Sequence, residues 1–201
     1  MKKSKSIKLN FIMNVILTMS SFIFPLITFP YVSRILLPEG TGKVSFATSL
    51  ISYFSMFAQL GIPTYGIRAC AKVRDDKEEL TRTTQELVII NFVMSVISYT
   101  VLAVALMLVP RLREERALYI IVSLTIAFNV IGMEWMYKAL EQYTYITIRS
   151  IIFKFVALIV MFVFVHQKSD YIFYGAITIL PLLVPIFLTL SMRTSSLICD
   201  R

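Results

Sequence analysis

Among the 201 residues of this sequence, Glu134, Arg149 and Lys154 carry the groups best placed to do chemistry. Each interrupts an otherwise apolar stretch, where an ionised side chain costs several kcal/mol unless it is paired or hydrated. Glu134 lies five residues before Ala139, roughly 7–8 Å along a helix, and Lys154 about 12 Å into the next apolar segment. Both fall toward the same side, on consecutive segments. Two readings are open. Arg149 and Lys154 reach up to lipid headgroups while Glu134 pairs with Lys138 at i,i+4. Alternatively, Glu134, Arg149 and Lys154 face a hydrated cavity in which the cations meet an anionic substrate.

Other chemistries find little material. His166 is the only histidine, which argues against a Ser-His-Asp triad and a histidine-based metal site, so neither catalytic nor metal-ligating residues are expected. Cys70 and Cys199 form no disulfide framework. Pro38-Glu39-Gly40-Thr41-Gly42 is rich in glycine, but no strand precedes it and the Gly-Lys-Ser/Thr ending is missing, so it reads as a tight hairpin turn and no cofactor is expected. Trp135, Tyr137, Tyr143 and Tyr145 fit an interfacial aromatic belt, with sugar stacking as the alternative.

The elements that hold these residues must be membrane helices. Hydrophobic residues make up 57% of the chain and charged residues 16%, with a mean hydropathy of +0.76. That is too apolar for a disordered chain or an ordinary soluble domain. Six segments approach the ~20 residues needed to cross a bilayer: Leu9–Ser33, Val44–Ile67, Leu87–Val109, Leu118–Ala139, Ile146–Val165 and Tyr171–Met192. The fifth is the weakest, because its uncharged part, Phe155–Val165, is too short to span alone. Continuous rather than alternating apolar runs favour helices over barrel strands. The expected fold is therefore all-α, a polytopic six-helix transmembrane bundle over residues 1–192 followed by a short cytoplasmic tail at 193–201.

Charge sets the orientation. With the N-terminus inside, 14 of the 20 basic residues lie on the cytoplasmic side, which predicts both termini there. Arg111, Arg113 and Arg116 run against this pattern and are partly offset by Glu114 and Glu115. A net charge of +8 on short connectors points to a membrane surface and not to nucleic acid. Pro25 and Pro30 in the first segment and Pro63 in the second are expected kinks, either purely structural or hinges. The mixed-charge connector Arg68–Arg82 is either a short amphipathic surface helix or a solvated link.

Several motifs add a resemblance. Phe24-Pro25-Leu26-Ile27-Thr28-Phe29-Pro30-Tyr31-Val32-Ser33-Arg34, Pro38-Glu39-Gly40-Thr41-Gly42-Lys43-Val44, Leu60-Gly61-Ile62-Pro63-Thr64-Tyr65-Gly66-Ile67-Arg68, Gly132-Met133-Glu134-Trp135-Met136-Tyr137 and Tyr145-Ile146-Thr147-Ile148-Arg149-Ser150 stand together. Over Lys8 to Ile179 the chain resembles the N-terminal half of bacterial O-antigen and capsule oligosaccharide flippases. These form the polysaccharide branch of the multidrug/oligosaccharidyl-lipid/polysaccharide exporter superfamily. The resemblance implies one lobe of a twelve-helix MATE-like transporter in the bacterial inner membrane. Such a transporter moves undecaprenyl-pyrophosphate-linked oligosaccharide from the cytoplasmic to the outer leaflet.

In that picture Arg34, Arg149 and Lys154 are candidates for substrate phosphate or acidic sugars, and Glu134 for a charge partner or proton coupling. The implied partners are the lipid-linked oligosaccharide, the bilayer, and a separately encoded C-terminal half or polysaccharide assembly proteins. Leu180–Arg201 departs from the motifs, which suggests a premature or frame-shifted end. A multidrug or cation exporter of the same fold, a membrane-embedded enzyme and a non-transporting truncated remnant are the competing readings.

Overall fold

The computed structural model describes residues 7–182. It is all-helical over these residues, with eight α-helices: α1 Ile7–Gln59, α2 Ile62–Lys72, α3 Lys77–Leu108, α4 Pro110–Glu114, α5 Arg116–Gly132, α6 Glu134–Ala139, α7 Tyr143–Phe164 and α8 Tyr171–Ile179. Short 3-10 turns at Lys168–Asp170 and Leu180–Leu182 flank α8.

Helix α1 is two arms in one. Its backbone leaves the helical region at Leu37 (φ 55°, ψ 176°), immediately before Pro38. A residue preceding proline is pushed away from α geometry, and here that restriction turns the chain back. The first arm, 7–36, and α7 run parallel with a constant offset. The Thr147 hydroxyl donates to the Met13 carbonyl, Lys154 to Ser20, and the Tyr31 hydroxyl to the Val165 carbonyl. The second arm, 38–59, runs parallel to α5, joined by Lys43–Glu115 at one end and Asn129–Ser55 at the other. Helix α3 lies against the second arm, where the Ser98 hydroxyl donates to the Phe54 carbonyl at 2.9 Å. All the long helices therefore run between two ends: a Leu37 end, with the 109–116 and 165–170 connectors, and a Gly61 end, with α2, the 73–76 turn and α6.

Of four buried clusters among the described residues, two join the long helices. Val44, Ala47, Ile51 and Ala58 of the second arm pack with Leu118, Val122 and Ile126 of α5. Val32 and Leu36 of the first arm pack with Met161 and Val165. Many outward residues are apolar and exposed, including Phe22, Leu26, Phe92 and Met107. A water-soluble fold would not leave so many, whereas a lipid-facing surface does.

Among the described residues, four helical stretches are long and apolar enough to cross a membrane: Lys8–Lys72, Lys77–Leu108, Arg116–Ala139 and Tyr143–Phe164. The first contains both arms of the hairpin, so the first two expected segments fall in one stretch. The expected sixth segment, Tyr171–Met192, extends beyond the described residues, as does the tail at 193–201.

Several boundaries differ from expectation. The third helix starts at Lys77, ten residues before Leu87, because the Asp76 carboxylate accepts hydrogen bonds from the Glu78 and Glu79 amides. The fifth segment, expected to be the weakest, is an unbroken 22-residue helix. The second ends at Gln59, where Leu60 (φ 44°) and Gly61 (φ 72°) take left-handed conformations. Pro63 sits in the first turn of the new helix α2, where its missing N–H costs nothing. Pro25 and Pro30 lie within the first arm, whose backbone stays helical there. The fourth segment is split at Met133 (φ 38°), the residue after Gly132, which itself stays helical as the last residue of α5.

Candidate functional site

The two ends of the bundle carry different chemistry. At the Leu37 end the Lys43 ammonium pairs with Glu115 at 2.9 Å and Glu39 at 3.3 Å, and lies 5.1 Å from the Tyr171 ring centroid. The Tyr171 hydroxyl donates to Glu115 at 2.8 Å. One ammonium thus joins the α1 hairpin, the connector before α5 and the start of α8. Burial alone would raise the Glu115 carboxyl, but the hydrogen bonds from Lys43 and Tyr171 outweigh it and hold it below its ordinary value. In the adjacent turn the Asp170 carboxylate accepts from the His166 and Gln167 amides, which depresses it as well. Glu39 and Lys43 stand at i,i+4, a local spacing, whereas Glu115 and Tyr171 come from distant connectors that no local pattern marks.

Toward the Gly61 end the interior becomes polar. Arg149 on α7 lines a small cavity of about 70 Å³ with Glu134, Asn129, Gly132 and Ser150. Its Nε and Nη1 are buried and have no hydrogen-bond partner among the described residues. The Tyr145 ring lies 5.5 Å from its guanidinium carbon. Glu134 lies on the same cavity and pairs with Lys138 at 2.9 Å. Asn129 reaches across to donate to Ser55 at 2.9 Å.

Lys154 lines a second cavity, of about 290 Å³, bounded by the first arm, α7 and α8. Pro181 lines both cavities, so they are neighbours. The Lys154 ammonium donates to Ser20 at 2.8 Å and Ser21 at 2.9 Å. Pro25 also lines this cavity.

The structure therefore brings Glu134, Arg149 and Lys154 into one region and leaves Arg34 out of it. Arg34 is exposed near the Leu37 turn, about 20 Å along the first arm from Ser20. Pro30 is exposed on the same arm and Pro63 belongs to the Gly61 break. Ser20, Ser21, Ser55 and Asn129 were not anticipated. A hydroxyl pair in the middle of an apolar run was the available signal for the first two. The aromatic belt needs correction. Trp135 and Tyr137 are 4% and 2% exposed, because α6 turns inward after Met133 and packs under α2.

Comparison with known proteins settles the family. A family model described as "Polysaccharide biosynthesis protein" matches residues 7–196. The chain belongs to the polysaccharide biosynthesis protein family. Among curated members, it is 27% identical over 165 residues to a protein of Escherichia coli (strain K12) named "Putative O-antigen transporter", covering 82% of this chain and 40% of the relative. A protein of Shigella dysenteriae with the same name is 25% identical over 153 residues, covering 75% of this chain and 38% of the relative. The chain thus spans about two-fifths of the length of the curated relatives it matches. Both are named as transporters and not as enzymes, which agrees with the motif resemblance. The family match also runs past Ile179, to residue 196, so the departure expected from Leu180 onward is not supported. No solved structure matches the chain.

Proposed function

We propose that this chain forms a six-helix lobe of a polysaccharide transporter in the bacterial inner membrane. Such a transporter carries undecaprenyl-pyrophosphate-linked oligosaccharide from the cytoplasmic to the outer leaflet. The observation that carries this reading is Arg149, a guanidinium with buried, unpartnered N–H groups on a polar cavity inside an apolar bundle. Guanidinium presents a planar fork suited to phosphate and carboxylate, and a buried charge in a membrane protein marks a ligand path more often than a structural contact. The charge distribution supports this orientation: Arg68, Lys72, Arg74, Lys77 and Lys138 gather at the Gly61 end, as the positive-inside rule expects of a cytoplasmic face. Parallel packing of the first arm with α7, and of the second arm with α5, fits alternating passes. A cation exporter of this fold would need a free acid at the cavity, whereas Glu134 is committed to Lys138.

The test is complementation of a strain lacking its O-antigen transporter, scored by surface polysaccharide. The chain is expressed alone and together with the remaining region of the Escherichia coli relative. Arg149→Gln should abolish whatever restoration is seen at equal membrane level of protein. Full restoration by the variant would reject the proposal.

A further inference from the structure

We infer that α6 and its two flanking turns form a hinged flap, held shut against α2 by one ion pair, whose position sets a wall of the Arg149 cavity. The inference deepens the transport reading, on which it rests only for what the cavity holds. Every part of the flap lies within this chain, so its motion needs no second lobe.

The hinges are visible in the backbone. Among the described residues, the non-glycine positions with positive φ are Leu37, Leu60, Met133 and Glu141. Two of them bracket α6: Met133 (φ 38°) before it and Glu141 (φ 56°) after it. A residue with a side chain pays free energy to stay there and does so only where neighbouring contacts enforce it. Between these hinges α6 has six residues and no side-chain cap at its start, so its own hydrogen bonds hold it weakly.

The contacts that enforce the closed form can be named. Gly66 of α2 meets the Trp135 ring of α6, and Arg74 meets Glu141 beyond both helix ends. The two short helices thus lie side by side and point the same way. The Arg74 guanidinium donates to the Glu141 carboxylate at 3.0 Å, and this half-exposed pair ends on the strained residue itself. Trp135 is buried with its indole N–H unpartnered among the described residues, so closure forfeits a hydrogen bond to water. Apolar burial and one solvent-screened ion pair therefore oppose two strained residues and an orphaned donor. A balance of this kind is what a two-state element requires.

The flap also builds the site. Gly132, just before the Met133 hinge, and Glu134, the first residue of α6, both line the Arg149 cavity. Swinging α6 about Met133 carries Glu134 with it and redraws that wall. The same motion uncovers Cys70, which is buried on the inner face of α2 in the cluster that holds Trp135 and Ala139.

Two native reporters therefore sit under the flap. Trp135 is the only tryptophan, and Cys199→Ser leaves Cys70 as the only thiol. The test measures the rate at which a maleimide labels Cys70 in the purified full chain in phosphatidylcholine nanodiscs. Arg74→Gln and Glu141→Gln should each raise this rate about twofold to fivefold, the factor that a half-exposed ion pair supplies. Acrylamide quenching of Trp135 should rise with it. The reversed pair, Arg74→Glu with Glu141→Arg, should return both readings to their native values. Arg82→Gln, which breaks a surface pair with Glu86, should change neither. Amide hydrogen exchange should quicken over 134–142 in Glu141→Gln and stay unchanged over 118–130. Unchanged labelling in both single variants overturns the inference. So does a reversed pair that fails to restore it, an equal rise in Arg82→Gln, or faster exchange over both stretches. No ligand and no transport is read, so these outcomes are separable from that of the complementation test.

Discussion

Gly66 offers the sharpest test of how the Gly61 end is built. It lies on the inner face of α2 with Ile62 and Cys70, against the Trp135 ring of α6. A methyl group added at Gly66 would meet Trp135 Cε3 at 2.6 Å and Cδ2 and Cζ3 at 3.0 Å. The indole is rigid and 4% exposed, so it cannot swing away, and α2 and α6 must separate. Overpacking of this kind costs about 1–3 kcal/mol, while alanine in place of glycine within a helix returns about 0.5–1 kcal/mol. Gly66→Ala should therefore destabilise by about 1–2 kcal/mol, or roughly 2–8 °C in Tm for a chain of this size. Gly42→Ala is the control, because nothing lies within 4 Å of its added methyl. It should be neutral or mildly stabilising. Trp135 is the only tryptophan, so its fluorescence reads the contact directly during thermal unfolding of the purified protein. A Gly66→Ala protein as stable as Gly42→Ala, with unchanged tryptophan emission, would refute the packing argument.

Three other outcomes follow from the same structure. Asp76→Ala removes the acceptor for the Glu78 and Glu79 amides and should cost about 1 kcal/mol, measured by denaturant unfolding, whereas Asp76→Asn should cost less. The Glu115 carboxyl is held below its ordinary value of 4.5, so its contribution is full above that value and disappears as pH falls through the depressed one. The difference in Tm between the native chain and Lys43→Met should therefore persist at neutral pH and close in strong acid; a constant difference would contradict the Lys43–Glu115 linkage. Ser98→Ala removes a buried donor to the Phe54 carbonyl and should destabilise by about 1 kcal/mol in the same unfolding assay.

Sequence alone determined the material of this protein: apolar runs of bilayer length, charge gathered mostly on connectors, and motifs that resemble the family it belongs to. It also singled out Glu134, Arg149 and Lys154, because an ionised residue in an apolar run stands out without any structure. Tertiary structure decided what these residues meet. The parallel alignment of the first arm with α7 sets Ser20 and Ser21 against Lys154, a pairing across 134 positions that no local pattern encodes. The same alignment leaves Arg34 far from the cavities. The left-handed turn at Met133 brings Trp135 and Tyr137 inside, although their types and positions suit an interface equally well. Hydropathy records the cost of taking each residue out of water, one residue at a time. Where a charge finds its partner depends on how the helices align, and that is settled only when their faces pack.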